Sequence, residues 1–313
     1  MRKAIPILIR ISISTVILFF LFKLVDLNKI VLIVSQANKV ILISVFLLTL
    51  LCYIIGFLRW RMLLIGFGLN LTPSLIFKSF CIGVFSNLFF PSTVGGDLLR
   101  GIDLGLRTHQ PRRVVASVIL DRLSGYSALV VVALLALSFG HRIINDIAVF
   151  IALGVILVLL VGMLTILFNN FIFSKVTRLL HFLGKIGQAL SNLHYEIYNF
   201  RNQRKIIIKN FFYSLMVQLA MPLSFYLISL SLGTRINPIY FFILVPIISA
   251  ISALPISVAG LGLREASSMY FFTNVGMSGE VALTVALLAF FMFFLIGLAG
   301  GIIYVLTFSQ HRI

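Results

Sequence analysis

Residues 91–100 read PSTVGGDLLR, and residues 255–264 read PISVAGLGLR. Both copies follow the pattern Pro-x-(Ser/Thr)-Val-small-Gly-x-x-Leu-Arg, and both come directly after a long apolar run. Proline removes a backbone donor and glycine permits a sharp reversal, so neither copy is expected to continue a helix smoothly. Helix-breaking residues at corresponding points of two hydrophobic halves are typical of transporter binding sites. Accidental similarity is the alternative, and the shared Pro, Gly and Arg argue against it.

The composition excludes a soluble globular protein. Of 313 residues, 61% are hydrophobic and 11% are charged, and the mean hydropathy is +1.15. Soluble domains are charged at about a quarter of their residues. Apolar stretches close to the length of about 20 residues that crosses a bilayer recur along the whole chain. We therefore expect an all-α polytopic membrane protein that forms a single integral membrane domain over residues 1–313.

The apolar pattern predicts about six full crossings and two shorter pieces. The crossings are predicted at residues 5–25, 40–58, 114–139, 147–168, 210–231 and 281–307. The shorter pieces, 74–90 and 239–256, each run into a copy of the motif. Freed backbone groups at membrane depth are tolerated only when they are buried in protein or face a wet cavity. We therefore predict re-entrant hairpins over 74–100 and 239–264.

The basic residues indicate orientation rather than nucleic-acid binding. The net charge is +17, but the basic residues lie between apolar segments, as membrane topology requires. With both termini in the cytoplasm, 16 of the 25 basic residues fall in cytoplasmic segments. The first hairpin then enters from the cytoplasm and the second from the opposite side. This predicts inverted-topology repeats over 40–139 and 210–307.

The segment 169–209 has a different character. Its apolar residues keep a helical period while its lysines and arginines lie on other faces. It is predicted to form an amphipathic helix on the anionic cytoplasmic leaflet, with a partner-binding helix as the alternative. Trp60 stands between two arginines at the end of a predicted crossing, so it is predicted to be an interfacial anchor.

Few residues can carry chemistry, because the chain has only eight acids. Asp97 is expected to cap a helix that starts after Gly96 and to pair with Arg100 one turn later. Asp121 and Arg122 lie one-third of the way into an apolar crossing, where ionisable residues are costly and usually functional. Lone cysteines and scattered histidines give no metal spacing, so no catalytic residue, metal site or cofactor is predicted.

Together these features predict a polar cavity between the two halves. Helix N-termini beyond the motif glycines, and arginine side chains, are suited to a phosphodiester. The acids are expected to hold the arginines or to bind a coupling proton, and the alternative is that the pairs only fix helix packing. The predicted substrate-binding residues are Pro91, Gly95, Gly96, Asp97, Arg100, Asp121, Arg122, Pro255, Ser257, Gly260, Gly262, Arg264 and Glu265.

The stretches 91–100 and 255–265, with the Asp121-Arg122 pair, resemble the flippase-like membrane-domain family. That family is also described as the transmembrane region of lysylphosphatidylglycerol synthases. The resemblance implies an integral protein of the cytoplasmic membrane with lipid translocation as its activity. Ala259 stands where glycine is expected. The longer synthases add a soluble aminoacyl-transferase domain, whereas this sequence stops at Ile313, so a stand-alone membrane domain is expected.

The expected function is a flippase that moves an anionic phospholipid or a polyprenyl-linked precursor across the membrane. One alternative is a membrane-embedded lipid-modifying transferase, glycosyl or aminoacyl, that uses Asp97 and Asp121 as acid and base. Another is a non-catalytic membrane subunit whose basic segment recruits a soluble lipid-modifying enzyme. No nucleic-acid partner is expected.

Overall fold

The computed structural model describes residues 5–90, 93–140, 146–179 and 184–308. The regular elements in these ranges are all helical, and one short 3₁₀ turn occupies Val258–Gly260. The α-helices are α1 (Ile5–Leu24), α2 (Leu27–Ser35), α3 (Lys39–Gly66), α4 (Pro73–Ser86), α5 (Thr93–Thr108), α6 (Pro111–Gly140), α7 (Ile147–Phe168), α8 (Asn170–Leu179), α9 (Lys185–Phe200), α10 (Arg204–Ser231), α11 (Pro238–Ser252), α12 (Leu263–Thr273) and α13 (Gly279–Phe308).

Five of these helices, namely α3, α6, α7, α10 and α13, are long and apolar enough to cross a membrane. The all-α polytopic fold predicted from the sequence is thereby confirmed. Helix α1, with 20 residues, coincides with the first predicted crossing. Short polar side chains fix where several helices begin: Asp26, Asn38 and Asp146 each accept hydrogen bonds from backbone N–H groups of the following first turn.

The prediction that Trp60 is an interfacial anchor is wrong. Helix α3 continues to Gly66, past the predicted end at residue 58, so Trp60 lies inside the helix. Its side chain is fully buried, and its Nε1 donates to Ser117 Oγ at 3.0 Å. A tryptophan between two arginines is common at the membrane surface, and here tertiary contacts with α6 bury it instead.

Each motif copy lies at the tip of an antiparallel helix pair. We call α4 and α5 (73–108) hairpin 1 and α11 and α12 (238–273) hairpin 2. In hairpin 1, Ser79 Oγ donates to Asp103 Oδ2 at 2.6 Å near the base, and Gly96 N donates to Asn87 Oδ1 at 3.1 Å near the tip. The helices of these hairpins have 11 to 16 residues. At 1.5 Å per residue, each is shorter than the roughly 30 Å of hydrocarbon.

The two hairpins lie along opposite halves of α13. Near the tip of hairpin 2, Arg264 lies 4.7 Å from the ring centroid of Phe290. Near the tip of hairpin 1, Leu88 packs against Gly297. Residues nearer the base of each hairpin contact residues nearer the two ends of α13, in the pairs Met269–Gly279 and Cys81–Gly300. The hairpins therefore approach from opposite ends of this helix, as an inverted arrangement requires. Their re-entrant path through a bilayer stays a prediction.

The two halves contain helices of matching order and length. Helices α3 and α10 have 28 residues each and pack against each other, and α6 and α13 have 30 each. Each half therefore runs as a long helix, a hairpin and a second long helix. The repeat boundaries at 40–139 and 210–307 stay predictions.

The segment 169–209 contains two helices, α8 and α9, rather than the single predicted one, and its last residues from Arg204 onward begin α10. Residues 180–183 lie outside the described residues. Helix α9 packs against α6 and α7. Its buried Phe200 stacks on Phe67 at the end of α3, with ring centroids 4.3 Å apart. Buried His194 stacks on Phe173 of α8. Helix α9 is thus attached to the end of α3 through Phe200, and α8 is attached to α9 through the stack of Phe173 on His194.

Acidification is expected to loosen this attachment. Burial lowers the pKa of His194 below its usual value of 6.5, and backbone carbonyls of Leu167 and Ile166 offset this only in part. Because the folded state disfavours the protonated ring, the contribution of His194 to stability is complete above about pH 6.5 and declines as the pH falls. The protection factors of the α8 and α9 amides, which correct for the intrinsic pH dependence of exchange, should therefore fall between pH 7 and pH 5 in the wild type. They should change less in His194→Phe, and an equal fall in both proteins would contradict this assignment.

Candidate functional site

The glycines of the first motif allow two helices to approach closely. Helix α5 begins at Thr93, so Gly96 and Asp97 lie inside its first turns and the prediction that Asp97 caps a helix starting after Gly96 is wrong. A Cβ at Gly96 would overlap the carbonyl oxygen of Gly83 on α4 and Oδ1 of Asn87. Gly95 faces the ring of Phe90 in a similar way. Pro91 lies outside the described residues.

Asp121 is the centre of a buried ion network. Its Oδ1 accepts from Arg59 Nε at 2.6 Å, and its Oδ2 accepts from Arg100 Nη2 at 2.9 Å. The aspartate is 2% exposed, and Arg100 is 3% exposed. Because each carboxylate oxygen has its own guanidinium partner, Asp121 of α6 joins α3 to hairpin 1 at this point. A carboxylate held in this way is poorly suited to carry a coupling proton.

Asp97 continues the network on the opposite side of Arg100. Its Oδ1 lies 3.1 Å from Arg100 Nε, and its Oδ2 forms an ion pair with Arg122. The guanidinium of Arg100 also lies 4.5 Å from the ring centroid of Trp60, a cation–π contact. The predicted pairing of Asp97 with Arg100 is present in the structure. Asp121 and Arg122, adjacent in sequence, reach different partners.

Arg59 is the network residue that sequence reasoning missed. The second predicted crossing ends at residue 58, just before Arg59, whereas Arg59 lies within α3 and contacts Asp121. Its Nη1 also donates to Ser214 Oγ on α10 at 2.9 Å, and this hydroxyl lies 2.9 Å from Ser124 Oγ. The continuing apolar sequence MLLIG at 62–66 was the signal that the helix extends beyond Arg59.

The second motif forms an irregular tip stabilised by a carboxylate. Ala259, Gly260 and Gly262 have φ of +51°, +74° and +85°, in the left-handed region that favours glycine. Gly262 is the N-cap of α12, and its N–H donates to Glu265 Oε2 at 2.6 Å. Glu265, which is fully buried, thereby supplies the glutamate half of a capping box.

Arg264 pairs with its neighbour in sequence. Its Nη2 and Nε donate to Glu265 Oε1 at 2.7 and 3.0 Å, and its guanidinium lies over Phe290. Its side chain is 15% exposed, more than the 4% of Arg100. Ser257 of the same motif is fully buried, with no protein hydrogen-bond partner for its Oγ among the described residues. Pro255 lies in an exposed turn.

The tips of the two hairpins meet. Ala259 N donates to the carbonyl oxygen of Phe90 at 2.9 Å, and Phe90 directly precedes the first motif. Ring contacts continue from Phe290 through Phe293 to Tyr53, with centroids 6.0 and 6.4 Å apart. The predicted acids and arginines therefore form two charged clusters, one at each hairpin, and the row of aromatic rings leads from Arg264 to Tyr53 on α3.

Comparison with known proteins agrees with this architecture. A family model described as "Lysylphosphatidylglycerol synthase TM region" matches residues 7–301, nearly the whole chain. No curated protein and no solved structure gives a match. The match includes both hairpins, both motif copies and all five membrane-spanning helices except the last residues of α13. The chain belongs to the family of lysylphosphatidylglycerol synthase transmembrane regions.

Proposed function

We propose that the protein is a flippase that moves a phosphate-bearing lipid headgroup across the cytoplasmic membrane. Membership of the family supports a lipid-related function in a membrane. The observation that carries the proposal is the contact between the two hairpin tips, Phe90 O to Ala259 N, beside buried arginine clusters. The headgroup would pass between the tips while the acyl chains stay in the bilayer.

The chemistry of the clusters fits a phosphodiester. Arginine is always charged and presents planar donors that match phosphate oxygens. Away from water, charge-assisted hydrogen bonds are stronger than at an exposed surface. Irregular backbone is typical of transporter sites, and the left-handed residues Ala259, Gly260 and Gly262 at the tip of hairpin 2 have this character.

The four arginines divide into two groups by exposure. Arg59 and Arg100, with side chains 12% and 4% exposed, share Asp121 and hold α3, α6 and hairpin 1 together. Arg122 and Arg264, at 27% and 15%, are the more accessible. We therefore assign headgroup binding to Arg122 and Arg264, and a positioning role to Arg100.

The proposed orientation places both termini in the cytoplasm. At one end of the bundle, exposed cationic side chains gather around the α5–α6 and α9–α10 connections, namely Arg107, Arg112, Arg113, Arg201, Arg204 and Lys205. Arg113 lies 3.8 Å from Glu196, which brings the two connections together. By the positive-inside rule this end faces the cytoplasm and the anionic leaflet.

Reconstitution into vesicles tests the proposal. Purified protein should move an acyl-labelled phospholipid between leaflets, and Arg264→Gln should slow this movement about tenfold, because a charge-assisted contact to phosphate is lost. Arg235→Gln, in the exposed loop after α10, is the matched control and should retain the wild-type rate. Thermal unfolding in detergent establishes that both variants are folded.

Equal rates of lipid movement for Arg264→Gln and the wild type would show that Arg264 does not bind the headgroup. Mass spectrometry of the lipid distinguishes the alternatives, since a flippase leaves the lipid mass unchanged and a transferase does not. Co-purification of a soluble lipid-modifying enzyme, without lipid movement by the protein alone, would favour a partner subunit.

A further inference from the structure

The first helix of the chain rests on the tip of hairpin 2. Helix α1 precedes both predicted repeats, and it packs against α12 and against the 3₁₀ turn Val258–Gly260. Both of these elements belong to hairpin 2. In the described part of the chain, α1 therefore makes its extensive contacts with one hairpin and not with the other.

A side chain of α1 binds the backbone of this tip. Val258 N donates a hydrogen bond to Ser14 Oγ at 3.0 Å, and Ser14 is 6% exposed. A buried backbone N–H group without a partner is costly, so this bond helps to fix the turn that precedes α12. The two residues lie 244 positions apart, which explains why the sequence gave no sign of their contact.

A glycine allows α1 to approach this closely. A Cβ at Gly262 would lie 3.1 Å from Cβ of Ile17 and 3.4 Å from the carbonyl oxygen of Ser14. Gly262 is also the N-cap of α12, with φ of +85°. Glycine at this position therefore serves both the backbone conformation of the tip and the fit of α1 against it.

The backbone N–H groups of the turn bind three different elements. Val258 donates to Ser14 of α1, and Ala259 donates to the carbonyl oxygen of hairpin 1 described above. Gly262 donates to Glu265 within α12. The turn is thus held by α1, by the other hairpin and by its own helix.

The two hairpins differ in this respect. The bond from Gly96 N to Asn87 Oδ1 at the tip of hairpin 1 stays within that hairpin. The tip of hairpin 2 is instead bound by a helix that lies outside both repeats. Arg264, to which we assign headgroup binding, follows this turn directly as the second residue of α12.

We propose that Ser14 is a positioning residue for lipid movement, an inference that rests on the proposed function. Ser14 acts through the turn and not on the headgroup. By binding Val258 N it fixes the turn that ends at Gly262, and the turn in turn sets the position of Arg264. Binding groups depend on supporting hydrogen bonds of this kind for their geometry. Helix α1 is thereby a strap that holds the headgroup-binding arginine beside the junction of the tips.

Ser14→Ala tests this role in vesicles that contain trace acyl-labelled phosphatidylglycerol. The rate of lipid movement should fall about fivefold, the factor by which one hydrogen bond shifts an equilibrium. Ser14→Thr keeps the hydroxyl group and should recover most of the wild-type rate. Thr15→Ala removes a hydroxyl group from an exposed position of the same helix and is the matched control, with the wild-type rate expected. Thermal unfolding in detergent gives the folded fraction to which each rate is normalised.

A double variant separates positioning from a general loss of structure. Because Ser14 acts through Arg264, Ser14→Ala should slow lipid movement less than about twofold in a protein that already carries Arg264→Gln. A merely structural role would slow both backgrounds by the same factor. Ile17→Ala loosens α1 over Gly262 and leaves the hydrogen bond in place. It should show the same dependence on Arg264, so the inference remains testable if Ser14→Ala does not fold.

The outcomes separate two failures. Wild-type rates in both Ser14→Ala and Ile17→Ala, or an equal loss with and without Arg264→Gln, would overturn the positioning role and leave the flippase function intact. Movement of no lipid by the wild-type protein would contradict the flippase function itself, and the role of Ser14 with it.

Discussion

Asp121→Asn is expected to lower the free energy of unfolding by about 3–5 kcal/mol, the usual cost of breaking a buried ion pair from one side. The substitution keeps the shape of the side chain and removes its charge. Arg59 and Arg100 would then remain buried without the carboxylate that each of them contacts within 3 Å. The measurement is unfolding in detergent, followed by the loss of helical signal.

Glu196→Gln is the matched control for this prediction. Glu196 pairs with Arg113 at 3.8 Å, and the side chain of Arg113 is 47% exposed. A pair of this kind contributes about 0–1 kcal/mol, so the control should remain close to the wild type. The double variant Arg59→Gln, Asp121→Asn should cost less than the sum of its single changes, because one unpaired charge is removed. Similar stability of Asp121→Asn and Glu196→Gln would show that the network does not hold the helices together.

Gly96→Ala is expected to cost about 3 kcal/mol and to displace the tip of hairpin 1. Its added methyl group would overlap the backbone carbonyl of Gly83 and the side chain of Asn87, which accepts from Gly96 N. Overpacking costs about 1–3 kcal/mol and a lost buried hydrogen bond about 1 kcal/mol more. Thermal unfolding measures the loss, and lipid movement between vesicle leaflets should fall in parallel.

Gly154→Ala on α7 controls for the change of residue type. A Cβ there meets no atom within 4 Å. Alanine is the better helix former by about 1 kcal/mol, so this variant should be as stable as the wild type or slightly more stable. If Gly96→Ala were as stable as Gly154→Ala, this result would contradict the close approach of α4 and α5 at the first motif.

Much of the architecture could be predicted because the deciding features are local in sequence. Hydrophobic length predicted the long helices, and proline with glycine predicted a break at each motif copy. The spacing of Asp97 and Arg100, one helical turn apart, predicted their pairing, and the pair is present at 3.1 Å. The acid precedes the arginine in the first motif copy and follows it in the second, and the structure gives these two acids different roles. Asp97 reaches α6, whereas Glu265 stabilises its own loop.

The remaining features depend on tertiary contacts that sequence spacing does not report. Arg59 pairs with Asp121, which lies 62 positions away in the sequence. An arginine near the end of an apolar run looks the same in the sequence whether its side chain faces water or joins a buried ion network. Gly96 was interpreted as a helix breaker, yet it lies within α5 because the neighbouring helix needs the space of its missing side chain. Ala259 keeps a left-handed backbone without the glycine expected there.

Locking the hairpin tips together tests the central claim most directly. The backbone atoms of Phe90 and Ala259 are joined at 2.9 Å, so a cysteine pair at these positions lies within the Cα separation of about 4–7 Å that a disulfide spans. The variant is Phe90→Cys, Ala259→Cys in a background with Cys52→Ala and Cys81→Ala, reconstituted in vesicles and compared before and after reduction. Passage of the headgroup between the tips predicts that the oxidised protein is inactive and that reduction restores lipid movement. Undiminished lipid movement by the fully cross-linked protein would contradict it.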